Sequence, residues 1–320
     1  MTSVLRRVVA PFAAVTALVA SLTACGTGPN QVNSAAIVGD RVISVDQVQS
    51  IVDKVVKEPA ARSLAQQHKL DIVAREALGQ LLVHDLLADA AREEGLSVDQ
   101  DQLDDLREQS PFDQKLSADN DMPTEQLVPQ LVYRARGFDA YASDQMMLDA
   151  LAKKHLGRES VRFNGVIVQD VGEARELAEK IATRPEDSAS LIRATAKSQD
   201  EMVTDADTGA NDNGVLLFAP KNSVFVLPSG QGATGGGGFQ VLHVLSTKTT
   251  SSVSPEADLS QIPPQQMAAI GRYSLRKYAI ESGIKISPRY GVWNAAMLKI
   301  VPKSEADVSG FLVLPGAAKP

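Results

Sequence analysis

The chain has 320 residues, a formal net charge of -7, 44% hydrophobic and 22% charged positions, and one cysteine. This composition excludes bulk disorder and a polytopic membrane protein, and an acidic balance without a basic block speaks against nucleic acid as a partner. A lone cysteine excludes a disulfide scaffold and a multi-cysteine metal site, and 4% aromatic residues leave little for a base-stacking or carbohydrate platform.

Arg6 and Arg7 precede an apolar run from Val8 to Ala20, and small residues follow up to Cys25. The run contains Pro11 and is shorter than the about 20 residues a comfortable membrane-spanning helix needs, so residues 1–24 read as an export signal. Leu22-Thr23-Ala24-Cys25 resembles a bacterial lipobox. That resemblance implies that Cys25 is lipidated and becomes the mature N-terminus on the extracytoplasmic face of the cell membrane. Residues 25–34 carry Gly, Pro, Asn and Ser without periodicity and read as a tether.

The body opens with a hairpin, Ala36–Val38 and Arg41–Ile43 around a Gly39-Asp40 turn. Ser44-Val45-Asp46-Gln47 spells a capping box, with Ile43 and Val48 as its hydrophobic staple. The helix it starts carries Val48, Ile51, Val52, Val55 and Val56 and is expected to end at Pro59. A longer helix is predicted from about Ala65 to Glu94, stopped by Gly95 with Leu96 as partner of the last turn. Ser97-Val98-Asp99-Gln100 reads as a second capping box, opening a helix with Leu103 and Leu106 inward. A further helical stretch runs from Thr124 or Pro129 to His155, with Pro129 as a first-turn residue or a kink.

The pattern changes at Val161. Strands are expected at 161–168, 214–218, 224–227 and 239–245, helices at 172–183 and 188–198, and a polar loop at 199–214, giving a small α+β unit. A Ser/Thr/Pro linker follows, then a helix at 264–281, a short strand at 284–286, and a tail after Val301. The fold class is α+β.

The ordered series of lipobox, hairpin with capping box at Ile37–Gln47, Ala90–Gln100 helix–cap–helix joint, α+β insert and returning helix before Ile284–Trp293 resembles the SurA-like and PrsA-like extracytoplasmic chaperone family. The resemblance implies a helical lobe over 35–157 and 262–293, a parvulin-type peptidyl-prolyl isomerase domain over 158–248, a linker at 249–261 and a tail at 294–320. It implies a membrane-anchored holdase that binds unfolded or nascent exported polypeptides, with no cofactor, nucleotide or nucleic acid. An active isomerase and a scaffold lipoprotein that recruits one envelope partner are the alternatives. Parvulins place histidines where this chain has Gly165, before Val166-Ile167-Val168, and Leu242 in the last strand. His243 is one place off, which points it to the opposite face. No catalytic residue is therefore assigned. Phe163, Leu217, Phe218, Phe225 and Phe239 are candidate peptide contacts, each also suited to a core.

Other motifs dissolve on inspection. Gly230-Gln231-Gly232-Ala233-Thr234-Gly235 matches a dinucleotide loop in letters but leads toward a strand, not a helix. Asp205-Ala206-Asp207-Thr208-Gly209 begins like a calcium loop and lacks its third ligand and terminal Glu. His68, His84, His155 and His243 form no i,i+4 pair, so no metal site is expected.

Overall fold

The computed structural model describes residues 33–110, 112, 116–117, 122–208, 214–230, 237–251 and 262–316. The segments read as export signal, lipobox (Leu22, Thr23, Ala24) with Cys25, and most of the expected tether lie outside the described residues, as do Gln231–Gly235. No helix among the described residues is long and apolar enough to cross a membrane.

The architecture is α+β. β1 (Ser34–Val38) and β2 (Arg41–Ser44) form the opening hairpin. At the start of α1 (Val45–Val55), the Ser44 hydroxyl accepts from the Gln47 amide at 3.1 Å and the Ser44 amide donates to Gln47 Oε1 at 2.7 Å. Ile43 and Val48 are both buried beside that cap. α1 ends before Pro59 because a proline disfavours helical backbone in the residue ahead of it; Glu58 is extended and Pro59 opens a 3-10 turn. The long helix is also shorter than expected. α2 (Arg62–Gln66) stops at His68, whose φ is 56°, and α3 runs from Leu70 to Glu94. Gly95 closes α3 with φ 66°, where a side chain would be strained, and Leu96 donates to the Ala91 carbonyl at 2.9 Å.

α4 (Gln100–Gln109) is capped by Asp99, which accepts from the Gln102 amide, and not by Ser97. A carboxylate at this position also answers the partial positive charge of the helix start. Leu103 is buried while Leu106 is exposed, against the expectation for it. The stretch up to His155 is two helices, α5 (Thr124–Arg136) and α6 (Phe138–His155), because Gly137 adopts φ 101° between them. Pro129 lies inside α5, where its missing N–H leaves the Glu125 carbonyl without an intrahelical donor.

The α+β unit contains β3 (Glu159–Val168), α7 (Val171–Thr183), α8 (Ser188–Thr195), β4 (Met202–Thr208), β5 (Val224–Pro228) and β6 (Phe239–Thr249). Two expectations fail. Residues 202–208, read as loop, pair with β3, and residues 214–216 form a 3-10 turn where a strand was expected. After residue 262 come α9 (Pro264–Ser274), α10 (Arg276–Ser282), β7 (Lys285–Ile286), β8 (Val292–Asn294), β9 (Lys299–Val301) and β10 (Phe311–Val313). The expected tail is thus structured. β10 pairs antiparallel with β5 and completes a five-stranded sheet of order β10-β5-β6-β3-β4. Three residues are too few for any periodicity to reveal.

Packing explains the arrangement. β7 pairs with β1, so the returning segment closes a three-stranded sheet on the opening hairpin. One apolar core joins this sheet to α1, α3, α5 and α6. Gly271 of α9 is required for its close crossing with α6: a Cβ there would lie 2.1 Å from the Leu148 carbonyl oxygen. The five-stranded sheet is apolar on both faces. Val166, Val241 and Val226 pack under α7 and α8, and Phe163, Leu242 and Phe225 pack against residues 216–219 and Ala296.

Candidate functional site

Gly165 and Leu242 are direct register partners across β3 and β6. Leu242 occupies the space a side chain at 165 would need, since a Cβ there would stand 2.6 Å from Leu242 Cδ2. His243 pairs instead with Asn164 and Val224, on the face that carries Val241. It is 1% exposed, and neither ring nitrogen has a hydrogen-bond partner among the described residues. Burial without a partner lowers its pKa to about 4, so it is neutral at physiological pH. Asn164 beside it is satisfied, donating to Ser188 Oγ at 3.1 Å and accepting from the Asp205 amide at 2.8 Å. An imidazole shut off from solvent with neither nitrogen hydrogen-bonded among the described residues is not placed to hand a proton to a substrate.

The candidate peptide contacts separate. Phe163, Leu217 and Phe225 are buried core residues, so the structure does not offer them to a ligand. Phe218 and Phe239 are half-buried; Phe218 stands edge-on to His155 with ring centroids 5.2 Å apart, and Phe239 packs under the helices of the unit. Residue type marked these positions as apolar, but only the pairing register tells which face each one joins.

The open concavity lies in the helical lobe. A cleft of about 520 Å³ runs between α3, α5, α9 and the β8–β9 hairpin, within the range of ligand pockets. Ile72, Val128, Pro129, Leu298, Ile300 and Pro302 supply apolar walls, and Asp71, Arg75, Glu76, Glu125 and Arg272 supply polar ones. Its floor includes Gly79, where an added Cβ would meet nothing within 4 Å. Glycine in the middle of a 25-residue helix costs about 1 kcal/mol relative to alanine, so a bare helix surface is retained here against propensity.

A polar chain holds the helices around this cleft. Gln80 donates to Glu76 at 2.8 Å and accepts from Arg136 at 3.4 Å. Arg136 donates to Asp144 at 2.7 Å, and the other Asp144 oxygen lies 2.6 Å from His84 Nδ1. The Arg136 and Asp144 side chains are 6% and 9% exposed, whereas His84 reaches solvent. The hydrogen bond to Asp144 raises the His84 pKa against the opposing effect of burial.

A second polar group joins the lobe to the α+β unit. Arg276 is fully buried and donates to the carbonyls of Leu217 at 2.7 Å, Ala296 at 2.8 Å and Ala295 at 3.5 Å. Its guanidinium also sits over the Phe225 and Tyr273 rings, at 5.0 and 5.4 Å. Burial lowers its pKa to about 10, which still leaves it charged. Sequence reasoning missed Gly79 and Arg276. An arginine on the inner face of a short returning helix, and a glycine inside a long one, were the available signals.

Among the described residues no group of three or more His, Cys, Asp and Glu side chains could hold a metal ion. No family model matches the chain, and no curated protein matches it. Among solved structures it is similar to the foldase protein PrsA of Streptococcus pneumoniae, at 12% identity over 78% of this chain and 94% of that one, with a TM-score of 0.24. It is similar also to PrsA of Lactococcus lactis, at 13% identity over 80% and 95% with a TM-score of 0.25. For the peptidylprolyl isomerase PrsA of Bacillus cereus the figures are 12%, 71%, 90% and 0.25. Superposition this loose transfers no residue's role.

Proposed function

We propose that this chain is a lipid-anchored, extracytoplasmic holdase that binds unfolded or translocated polypeptides without isomerising proline. The observation that carries the reading is the cleft of the helical lobe, walled by apolar side chains and floored by bare helix at Gly79. An extended segment can bury apolar side chains there while the polar rim meets its backbone. No nucleotide or cofactor is required by this mode of binding. The reading without isomerase chemistry is supported by Leu242 lying over Gly165 and by buried His243, whose nitrogens have no hydrogen-bond partner among the described residues. The anchor is the lipidated Cys25 of the lipobox-like segment.

The deciding experiment is Gly79→Leu in the full chain. A Cβ at this position meets nothing within 4 Å, the rest of the side chain extends into the cleft, and the helix gains about 1 kcal/mol of propensity, so the melting temperature is expected to hold or rise. Suppression of aggregation of a denatured client is expected to fall several-fold. Undiminished suppression would remove the cleft from the mechanism. In the same series, the wild-type protein is expected to give no acceleration in a proline-isomerisation assay. Cys25→Ser is expected to move the protein out of the membrane fraction.

A further inference from the structure

A second hollow of about 240 Å³, with Tyr133, Tyr273 and Met297 in its lining, shares Arg272 with the cleft. Arg272 lies near the end of α9, half-buried. Its side chain makes no hydrogen bond or ion pair with any described residue. The other arginines around the groove are committed: Arg75 to Asp71 and the Tyr290 carbonyl, Arg136 to Asp144. The nearby acids do not serve it either. Asp71 is taken by Arg75, Glu76 by Gln80, and Glu125 and Glu305 are exposed lining residues with no bond to it.

A guanidinium presents a planar fork that fits a carboxylate, and partial loss of water strengthens the attraction over that in bulk. We propose that Arg272 is the specificity-determining residue of this groove, selecting polypeptide segments in which a carboxylate is flanked by apolar side chains. Aliphatic residues on one side would face Val128, Leu298 and Ile300, and aromatic residues on the other would face Tyr133 and Tyr273. The same lining carries Asp71, Glu76, Glu125 and Glu305 against Arg75, Arg272 and Lys299, so the preference rests on a direct carboxylate–guanidinium pair at Arg272 and not on the overall charge of the groove. The inference rests on the reading that the groove takes client polypeptide.

The test uses the full chain and fluorescent peptides of sequence Ala-Leu-Val-X-Tyr-Phe-Ala, with X as Asp, Asn or Lys. Wild type is expected to bind the Asp peptide about tenfold tighter than the Asn peptide, with the difference shrinking in high salt. Arg272→Gln is expected to bind both alike with a nearly unchanged melting temperature, since it removes no hydrogen bond or ion pair with any described residue. Arg272→Glu is expected to prefer the Lys peptide. Equal binding of Asp and Asn peptides by wild type, with Gly79→Leu still weakening both, would overturn the role of Arg272 and leave the groove standing. If Arg272→Gln kept the preference, the role of Arg272 would likewise fall. Failure of every peptide to bind, with Gly79→Leu silent against denatured clients, would sink the groove itself.

Discussion

In the helical lobe a buried carboxylate, Asp144, is met by Arg136 on one oxygen and His84 on the other. In the α+β unit a buried imidazole, His243, has neither ring nitrogen hydrogen-bonded among the described residues. The first arrangement ties α3, α5 and α6 together beside an open cleft. The second is carried by a sheet with apolar cores on both faces, which can absorb the cost of one orphaned side chain. The helices around the cleft hold their polar groups in defined partnerships, because half-satisfied networks do not specify a geometry. A region kept for packing has no such need.

The largest effect is expected where the two regions meet. Arg276→Met would strand the carbonyls of Leu217 and Ala296, each orphaned acceptor costing about 1–3 kcal/mol, offset in part by no longer burying a charge. A net loss of about 3 kcal/mol in urea unfolding is expected. A loss under about 1 kcal/mol would show that the lobe and the unit are not joined through this residue.

The two histidines should respond to acid with opposite signs. His243 has a lowered pKa, so the unfolded chain takes up a proton before the folded one does. Its contribution therefore falls as pH drops from about 6.5 towards about 4, by up to about 3 kcal/mol over the window. His243→Leu is expected to stabilise the protein by about 1 kcal/mol at pH 7 and to flatten that acid slope. If the wild-type and variant slopes coincide in urea titrations at pH 7 and 4.5, the imidazole is not isolated. His84 has a raised pKa, so the extra stabilisation its positive charge gains from Asp144 is fully present below about pH 6.5 and is lost as pH rises through the folded value. The side chain is half in solvent, which limits the effect to a few tenths of a kcal/mol. His84→Gln should cost that much at pH 6 and nothing at pH 8.5, a difference readable in paired melts.

Local signals were legible where one residue's chemistry decides the outcome. The Ser44–Gln47 box and the Gly95 stop could be read from letters alone, because each is satisfied within four residues of itself. Ser97 and Asp99 are both competent caps, and choosing between them needs the packing of α4. β4 and β10 stayed hidden because one is polar at a sheet edge and the other is three residues long. For the site, the alternation of β6 already separated Leu242 from His243, whereas Phe163 and Phe225 needed the opposite strands to be placed. Arg272 carries no mark in the sequence. Its setting comes from segments more than a hundred residues apart, which give its side chain no hydrogen bond or ion pair among the described residues.

The position of β10 bears on how the protein is made. Its pairing with β5, like that of β7 with β1, leaves a sheet edge in each region unsealed until residues 285–313 have arrived. A chain made from its amino end therefore cannot finish one region and then begin the other. Both edges would close late and together, leaving β1 and β5 each short of a partner strand until the final stretch is made.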